Sequence, residues 1–416
     1  MIKEMQDPWQ ANQLIRRALS KFLEHARNLQ NQIFPKKVAP LFLPPLMDYD
    51  DGQQYAISGS KRALMTYVIA PFYQNIPQSR IFHSNQEQTI EIYRAFRRLG
   101  YTVDIVDYRD SIFIPSMKYD VYFGMGENAE KIITYLGPET IKIYYGTGSY
   151  WEYERESEQA RRNYLQLRRG VSLPPYNFPS KNDWARTADA LILLCNQYTA
   201  GTYPNVFQKV YTIDNSFVSG ISAPDLIGKN FADARKNFLW MGGTNLQMRG
   251  LDLVLEALAD LPDLHLWICG PLHSQDELEF LNIYRKELFH TSNIHPLGYI
   301  NVHSETFQQI TDHCLGFIYA SCTESMSGSS LNCMRRGLIP LVTRSVGIDI
   351  REDFGFIFEH DTVECIRDTV TQFSRLGENQ VRQMAQSVLE EINKRYTIGT
   401  FAGNVESILS ELLKSQ

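Results

Sequence analysis

The chain has 416 residues, 44% hydrophobic and 21% charged, with 25 Gly and 18 Pro. That balance excludes a disordered, collagenous or low-complexity chain and suits about two to three globular domains. The longest clean apolar run, Ala190 to Cys195, has six residues, against the ~20 needed to span a bilayer. The first 25 residues hold no apolar export core. Residues 1–40 carry seven Lys or Arg against three acids, leaving 34 against 44 in the remainder. So acidic a body argues against nucleic acid as a partner. Six Cys without a C-x-x-C pair fit a reduced cytoplasm and indicate neither a disulfide framework nor a zinc site.

In chain order, the apolar positions from Ala11 to Phe34 fall at helical spacing, with Arg17, Lys21 and Asn28 on the other side. Such a basic amphipathic helix packs on its own domain or a second subunit, or lies on an anionic membrane surface. The proline-rich segment Pro35–Pro45 ends it. Strand signals follow at Ala63–Ala70, Thr102–Val106, Tyr119–Phe123, Ile141–Tyr145 and Ala190–Leu194, with a helix over Gln86–Leu99. Glu152–Arg169 mixes acids and arginines at helical spacing, the pattern of a solvated face, although its arginine-rich end can also meet an anionic acceptor or lipid headgroup. Ser219–Ala232 then loses all apolar periodicity and marks a boundary.

The alternation restarts beyond it. Strands are expected at Asn237–Met241, Leu264–Cys269, Gly316–Ala320 and Ile339–Thr343, and helices at Leu251–Ala259, Asp276–Phe289, Glu305–Cys314 and Ser329–Arg336. From Asp361 onward the chain reads as helical. Near-continuous apolar strands alternating with helices imply parallel sheets covered on both faces. The expectation is therefore an α/β chain of two tandem Rossmann-like doubly wound domains, with ligand in the cleft between them at the carboxyl ends of the strands. The divisions expected are 1–45 for the N-terminal helix and linker, 46–222 and 223–395 for the two domains, and 396–416 for a C-terminal helix.

Two stretches carry chemistry. In Tyr319–Thr343 a strand ends at Ala320, a polar loop carries Glu324, and a helix opens on Ser327-Gly328-Ser329. Small residues at a helix start offer unpaired backbone N–H groups and a positive dipole end, the ingredients of a phosphate site; the plain alternative is a serine N-cap. In Trp240–Leu258 a strand ends at Gly242-Gly243, and Arg249-Gly250 opens the next helix. Arg249 is placed for charge-assisted bonds to a diphosphate.

Together these stretches resemble the second domain of the retaining GT-B glycosyltransferases that carry a glutamate–seven residues–glutamate motif, a family-4-like group. The likeness covers Asn237 to about Phe358 and, more loosely, Ala188–Phe217. His83–Tyr145 resembles the first domain of a bacterial polysaccharide-type subgroup. The resemblance implies transfer of a hexose-type sugar from a nucleotide-diphosphate sugar to a saccharide or lipid-linked acceptor hydroxyl, with no metal and no other cofactor, in the cytoplasm or peripherally at the inner face of the membrane. It implies that Glu324 contacts the transferred sugar, that Arg249 and the amides at Ser327, Gly328 and Ser329 meet the diphosphate, and that Gly242, Gly243 and Thr244 line the donor loop. Asn332 stands where the family's second glutamate holds the ribose, and Thr244 where an arginine is usual.

The first domain has no histidine between residues 84 and 264, where many relatives place one facing the sugar. His83 is the imidazole placed to reach the cleft. Gly146, Thr147, Gly148 and Ser149 can line the sugar side, with Tyr150 and Trp151 offered for ring stacking. Asp48-Tyr49-Asp50-Asp51 has a D-x-D spelling but sits where a turn is expected. The helix Phe401–Leu413 resembles the family's terminal helix, which returns to the first domain. The departures at Thr244 and Asn332 leave a second reading, a catalytically degenerate GT-B protein that binds a nucleotide sugar or supports a partner enzyme. An epimerase on the same fold is the remote third.

Overall fold

A computed structural model describes residues 43–55, 61–73, 83–126, 128–175, 183–207 and 209–414. The amphipathic segment 11–34 lies outside them. Among the described residues no helix is long and apolar enough to cross a membrane.

Among the described residues, twelve strands form two six-stranded sheets whose neighbouring strands all run parallel. The first holds β1 (Arg62–Tyr67), β2 (Thr102–Asp107), β3 (Val121–Gly124), β4 (Ile141–Gly146), β5 (Ala190–Leu193) and β6 (Val210–Thr212), in the order β2-β1-β3-β4-β5-β6. The second holds β7 (Asn237–Met241), β8 (His265–Cys269), β9 (Ile294–Gly298), β10 (Gly316–Tyr319), β11 (Ile339–Val342) and β12 (Phe356–Ile357), in the order β12-β11-β10-β7-β8-β9. In the second sheet the direction of winding reverses between β7 and β10, so their carboxyl ends open the crevice where doubly wound folds take ligands.

Five helices position that crevice: α1 (Ser84–Arg98), α2 (Trp151–Arg169), α3 (Leu251–Ala259), α4 (Gly328–Arg335) and α5 (Ile398–Lys414). Two of them cross between domains. On α5, Phe401, Val405, Leu409, Leu412 and Leu413 are buried in the first domain's core with Ile92, Phe96 and Ile105. In the opposite sense α2 leaves the first sheet after β4 but buries Leu165 completely among the second domain's core residues.

The arginines of α2 follow Leu165. Arg161 donates to the carbonyl of Ala320 at 3.0 Å, at the end of β10, and lies 3.7 Å from the Asp252 carboxylate. Arg168 pairs with Asp252 and Glu256, and Arg169 with Glu256 at 3.0 Å and Glu287 at 2.7 Å. Arg161 and Asp252 are 3% and 0% exposed. The expected solvated face holds for Glu152, Arg155 and Glu156, which are exposed, whereas the arginine-rich end is corrected: Arg161, Arg168 and Arg169 are spent on second-domain carboxylates. Mixed charge at helical spacing looks the same in sequence whether its partners are water or another domain.

Other departures have local causes. The helix expected over Asp276–Phe289 is three short pieces, Gln275–Glu277, Leu278–Ile283 and Arg285–His290, interrupted at Tyr284. Tyr284 is fully buried and its hydroxyl donates to Glu256 at 2.7 Å. Asp48 turns back with a positive φ of 49°, pairs with Arg62 and donates its N–H to Asp104, so the D-x-D spelling is a turn tied to β1 and β2.

Removing one partner from a buried charged cluster leaves the others desolvated and unpaired. Asp252→Asn is expected to cost about 3–5 kcal/mol, measured by urea unfolding. A change below ~0.5 kcal/mol, the range of ordinary surface substitutions, would show that the cluster does not hold α2 to the second domain.

Candidate functional site

The loop after β7 begins with Gly242, which lies against the Trp240 and Tyr319 rings, and Gly243, which faces open space. Thr244 is exposed at its tip. The Glu277 carboxylate accepts the N–H groups of Asn245 and Leu246 and anchors the turn. Gly250 closes it with a φ of +75°, and a Cβ there would lie 2.2 Å from the Ala320 carbonyl oxygen. No side chain fits, so the loops after β7 and β10 press together at this glycine. A hydrogen bond of 2.9 Å from Cys322 N–H to the Met248 carbonyl adds to the contact.

Arg249 is carried on this joined edge, and its guanidinium pairs with Glu324 from the loop after β10. The same carboxylate accepts from the Tyr319 hydroxyl at 2.9 Å. Both side chains reach solvent in the crevice, Arg249 at 30% and Glu324 at 14% exposure. A guanidinium paired with a carboxylate at a partly wet site can exchange that partner for a phosphate of similar geometry.

Beside them α4 starts at Ser327, whose hydroxyl accepts the Ser330 N–H at 3.3 Å and lies 3.1 Å from the Ser329 hydroxyl. A Cβ at Gly328 would meet only Ser84 and Asn215, at 3.6 and 3.7 Å. The start of α4 therefore faces the start of α1 across the cleft. Asn215 pins the two together, accepting from Ser84 Oγ at 2.9 Å and donating to the Met326 carbonyl at 2.7 Å. Asn332 lies deeper, on the first turns of α4. It is buried, and its carboxamide oxygen accepts the Val218 N–H at 2.9 Å. Its oxygen is thus spent on the connection between the domains.

On the first-domain side, Gly146 packs against Tyr144, Leu193 and Tyr203, and Thr147 lies over Met125. Ser149 donates from its hydroxyl to the Glu324 carbonyl at 2.9 Å, so this loop touches the loop after β10 directly. Tyr150 is corrected: its ring is buried with Leu191, Leu193, Cys195 and Tyr203, and its hydroxyl receives Arg186 at 3.0 Å. It belongs to packing and offers no face to a sugar. Trp151 carries the Arg155 guanidinium over its ring at 5.0 Å. His83 stands exposed at the start of α1, its N–H donating to Gln86 at 3.3 Å, and desolvation holds its imidazole below the ordinary range.

Sequence reasoning put Glu154, in the first turn of α2, on a solvated face; it is half-buried beneath Gly148. Its carboxylate lies against Gly148, and the charge of Arg249 and the Ser149 N–H both favour its ionised form. A Cβ on Gly148 would lie 2.7 Å from its Oε1, so the glycine makes room for the acid beneath the loop. Desolvation pushes this carboxyl up from 4.5 to about 7, against the opposing pull of Arg249 and the Ser149 N–H. The available signal was position: an acid one turn after Gly-Thr-Gly-Ser at a strand end.

No protein-family model matches the sequence, and no curated relative matches it. Solved structures do match in shape. Sucrose-phosphate synthase from Thermosynechococcus elongatus superposes with a TM-score of 0.61 at 13% identity, covering 86% of this chain and all of that one. HepE of Anabaena, solved with UDP, gives 0.56 at 12% identity over the same shares. The fold is GT-B. HepE has also been solved with UDP-glucose, matching here at 0.55 and 11% identity over 84% of this chain and 99% of that one. Staphylococcus aureus TarM aligns at 0.48 and 11% identity over 68% of this chain, which spans only 54% of that protein's length.

A raised carboxyl pKa means that the folded state holds its proton to higher pH than the unfolded chain. Stability is then lost as pH rises from 4.5 towards 7 and stays lost above. Glu154→Gln is therefore expected to raise the melting temperature at pH 8 and leave it unchanged at pH 4. Equal melting temperatures at both pH values would remove the buried-carboxyl assignment.

Proposed function

We propose that this chain is a glycosyltransferase that moves a sugar from a nucleotide-diphosphate sugar to an acceptor hydroxyl, with retention, in polysaccharide or glycolipid synthesis. The observation that carries the reading is Arg249, held with Glu324 at the β7–β10 crevice beside the start of α4. In this reading Arg249 leaves Glu324 for the diphosphate, and the amides at Ser327–Ser329 meet the same charge. Charge developing on the departing diphosphate is then stabilised by groups fixed before the reaction begins, which is electrostatic catalysis. No metal or other cofactor is called for.

Glu324, released from Arg249, is left to accept hydroxyls of the transferred sugar, its carboxylate oriented by Tyr319. Ser149 closes the sugar pocket from the first domain, with Gly146, Thr147 and Gly148 giving it a narrow backbone wall. Asn332 holds the ribose less strongly than a glutamate would, because its oxygen already serves Val218. The acceptor enters from the first-domain side, past His83. The basic amphipathic segment 11–34 supports placing the enzyme in the cytoplasm, at the inner membrane face or against a second subunit.

The test is a thermal-shift screen with UDP, GDP, ADP and TDP. A ligand at ~100 times its dissociation constant stabilises the native state by about 2.7 kcal/mol. One selective response is expected, together with sugar transfer or donor hydrolysis. Arg249→Ala should lose the shift and at least about a hundredfold of the transfer rate while melting near the wild-type temperature. A nucleotide response without turnover favours the partner-supporting protein. Full activity in Arg249→Ala overturns the site.

A further inference from the structure

A second cavity, of about 420 Å³, lies between α2 and the carboxyl edge of the second sheet. Cys322 enters it from the loop after β10, Arg344 and Ser345 from the loop after β11, and Glu359 and Asp361 from the turn after β12. From α2 it is faced by Tyr153, Ser157, Ala160, Arg161 and Tyr164. These follow three- and four-residue steps and so share one face of the helix, along about 16 Å. Tyr198, on the short first-domain helix Gln197–Ala200, lines it as well. The volume falls within the range of about 300–1,000 Å³ found for small-molecule sites. The carboxyl ends of a doubly wound sheet are also where such sites form. No residue assigned above to the donor crevice lines this cavity. Cys322 stands two residues before Glu324, so the two spaces share the loop after β10.

The lining combines rings, hydroxyls and a balanced set of charges. Tyr153 Oη lies 3.3 Å from both Tyr198 Oη and Ser345 Oγ, which puts three hydroxyls in one chain across the domains. Each can donate or accept, so the chain can turn to suit a ligand. Arg161 is spent: its guanidinium donates to the Ala320 carbonyl at 3.0 Å and to Asp361 at 3.4 Å. Arg344 and Glu359 are exposed, and among the described residues neither side chain has a partner.

Two guanidiniums thus accompany two carboxylates. A phosphate or nucleotide would lose against the acids what it gained from the arginines. A saccharide matches the set better. Its hydroxyls donate and accept in turn, so they can meet Arg344, Glu359 and the tyrosine hydroxyls together. Its C–H faces pack on tyrosine rings, which pair an apolar body with a polar tip.

We propose that this cavity is a saccharide-binding site separate from the donor crevice, taking a neutral sugar or a segment of a neutral glycan. Arg344 and Glu359 hold hydroxyls at the exposed side, the Tyr153–Ser345 pair holds one further in, and Tyr198 supplies a ring face. Through the shared loop, a glycan held here stays close to Glu324. The binding itself does not depend on what the crevice takes.

The experiment is saturation-transfer NMR, with titration, using glucose, galactose, N-acetylglucosamine and maltose, alone and with excess UDP or inorganic phosphate. At least one sugar should receive saturation, with a Kd that neither UDP nor phosphate changes. Tyr153→Phe keeps the ring and removes one hydroxyl, and should weaken that sugar about two- to tenfold, the range of one hydrogen bond. Arg344→Ala alters an exposed side chain, which leaves stability nearly unchanged, and should weaken it by a similar factor. Tyr198→Ala should weaken it at least as much. Tyr135→Ala, an exposed ring outside the cavity, should change nothing.

No saturation of any of the four sugars overturns the inference. Competition by UDP or by phosphate also overturns it, because the ligand would then share an anion site. Unchanged binding in Tyr153→Phe, Arg344→Ala and Tyr198→Ala, or equal loss in Tyr135→Ala, does the same. Absence of any nucleotide response defeats the donor reading alone and leaves this site standing.

Discussion

Asp252 sits at the first turn of α3, fully buried, with the guanidiniums of Arg161 and Arg168 reaching it from the other domain. That cluster bears on both sides of the cleft. It fixes the end of α2 on the second domain, while the start of α2 carries Glu154 and follows the loop of Gly146–Ser149. The same Arg161 holds the Ala320 carbonyl, where β10 gives way to the Glu324 loop. A charged cluster out of water is costly unless every member is paired. The arrangement therefore specifies one relative setting of helix and crevice more than it adds stability.

The exchange of helices strengthens this. α2 belongs by connection to the first sheet and by packing partly to the second; α5 follows the second domain and is buried in the first. Between them run directional bonds across the cleft: Ser149 to the Glu324 carbonyl, Asn215 to Met326, Asn332 to Val218. Such bonds are short-range and break with small rotations. The cleft is thus preorganised, with its reactive edge assembled from loops of both domains before any ligand arrives.

Electrostatics within the edge run opposite to those at its support. At Asp252 two cations serve one acid; at Arg249 several acids face one cation. The first arrangement suits permanence and the second suits exchange, because an over-supplied cation yields readily to a stronger anionic ligand. Desolvation raises the Glu154 carboxyl on the same side of the cleft.

Much of this was legible in the sequence. The interior strands are mostly buried and read as apolar runs, and Gly242-Gly243 at the end of β7 marked the loop that carries Arg249. The strands passed over, β6, β9 and β12, are all sheet edges. β6 and β12 are short and half exposed, and β9, though largely buried, carries Pro296, tolerated where a ladder bond is missing. β2, also an edge, was legible because its side chains are buried. Local pattern thus determined the two α/β domains, the Arg249 and Glu324 loops and the serine-rich start of α4. Only the tertiary structure decided which charges meet: that Arg161 and Arg168 serve Asp252, that Tyr150 is packing, that Asn332 holds the interdomain connection, and that Glu154 lies beneath Gly148. Periodicity reports the face a residue takes on its own element, whereas desolvation and ion pairing depend on what a distant segment places opposite it.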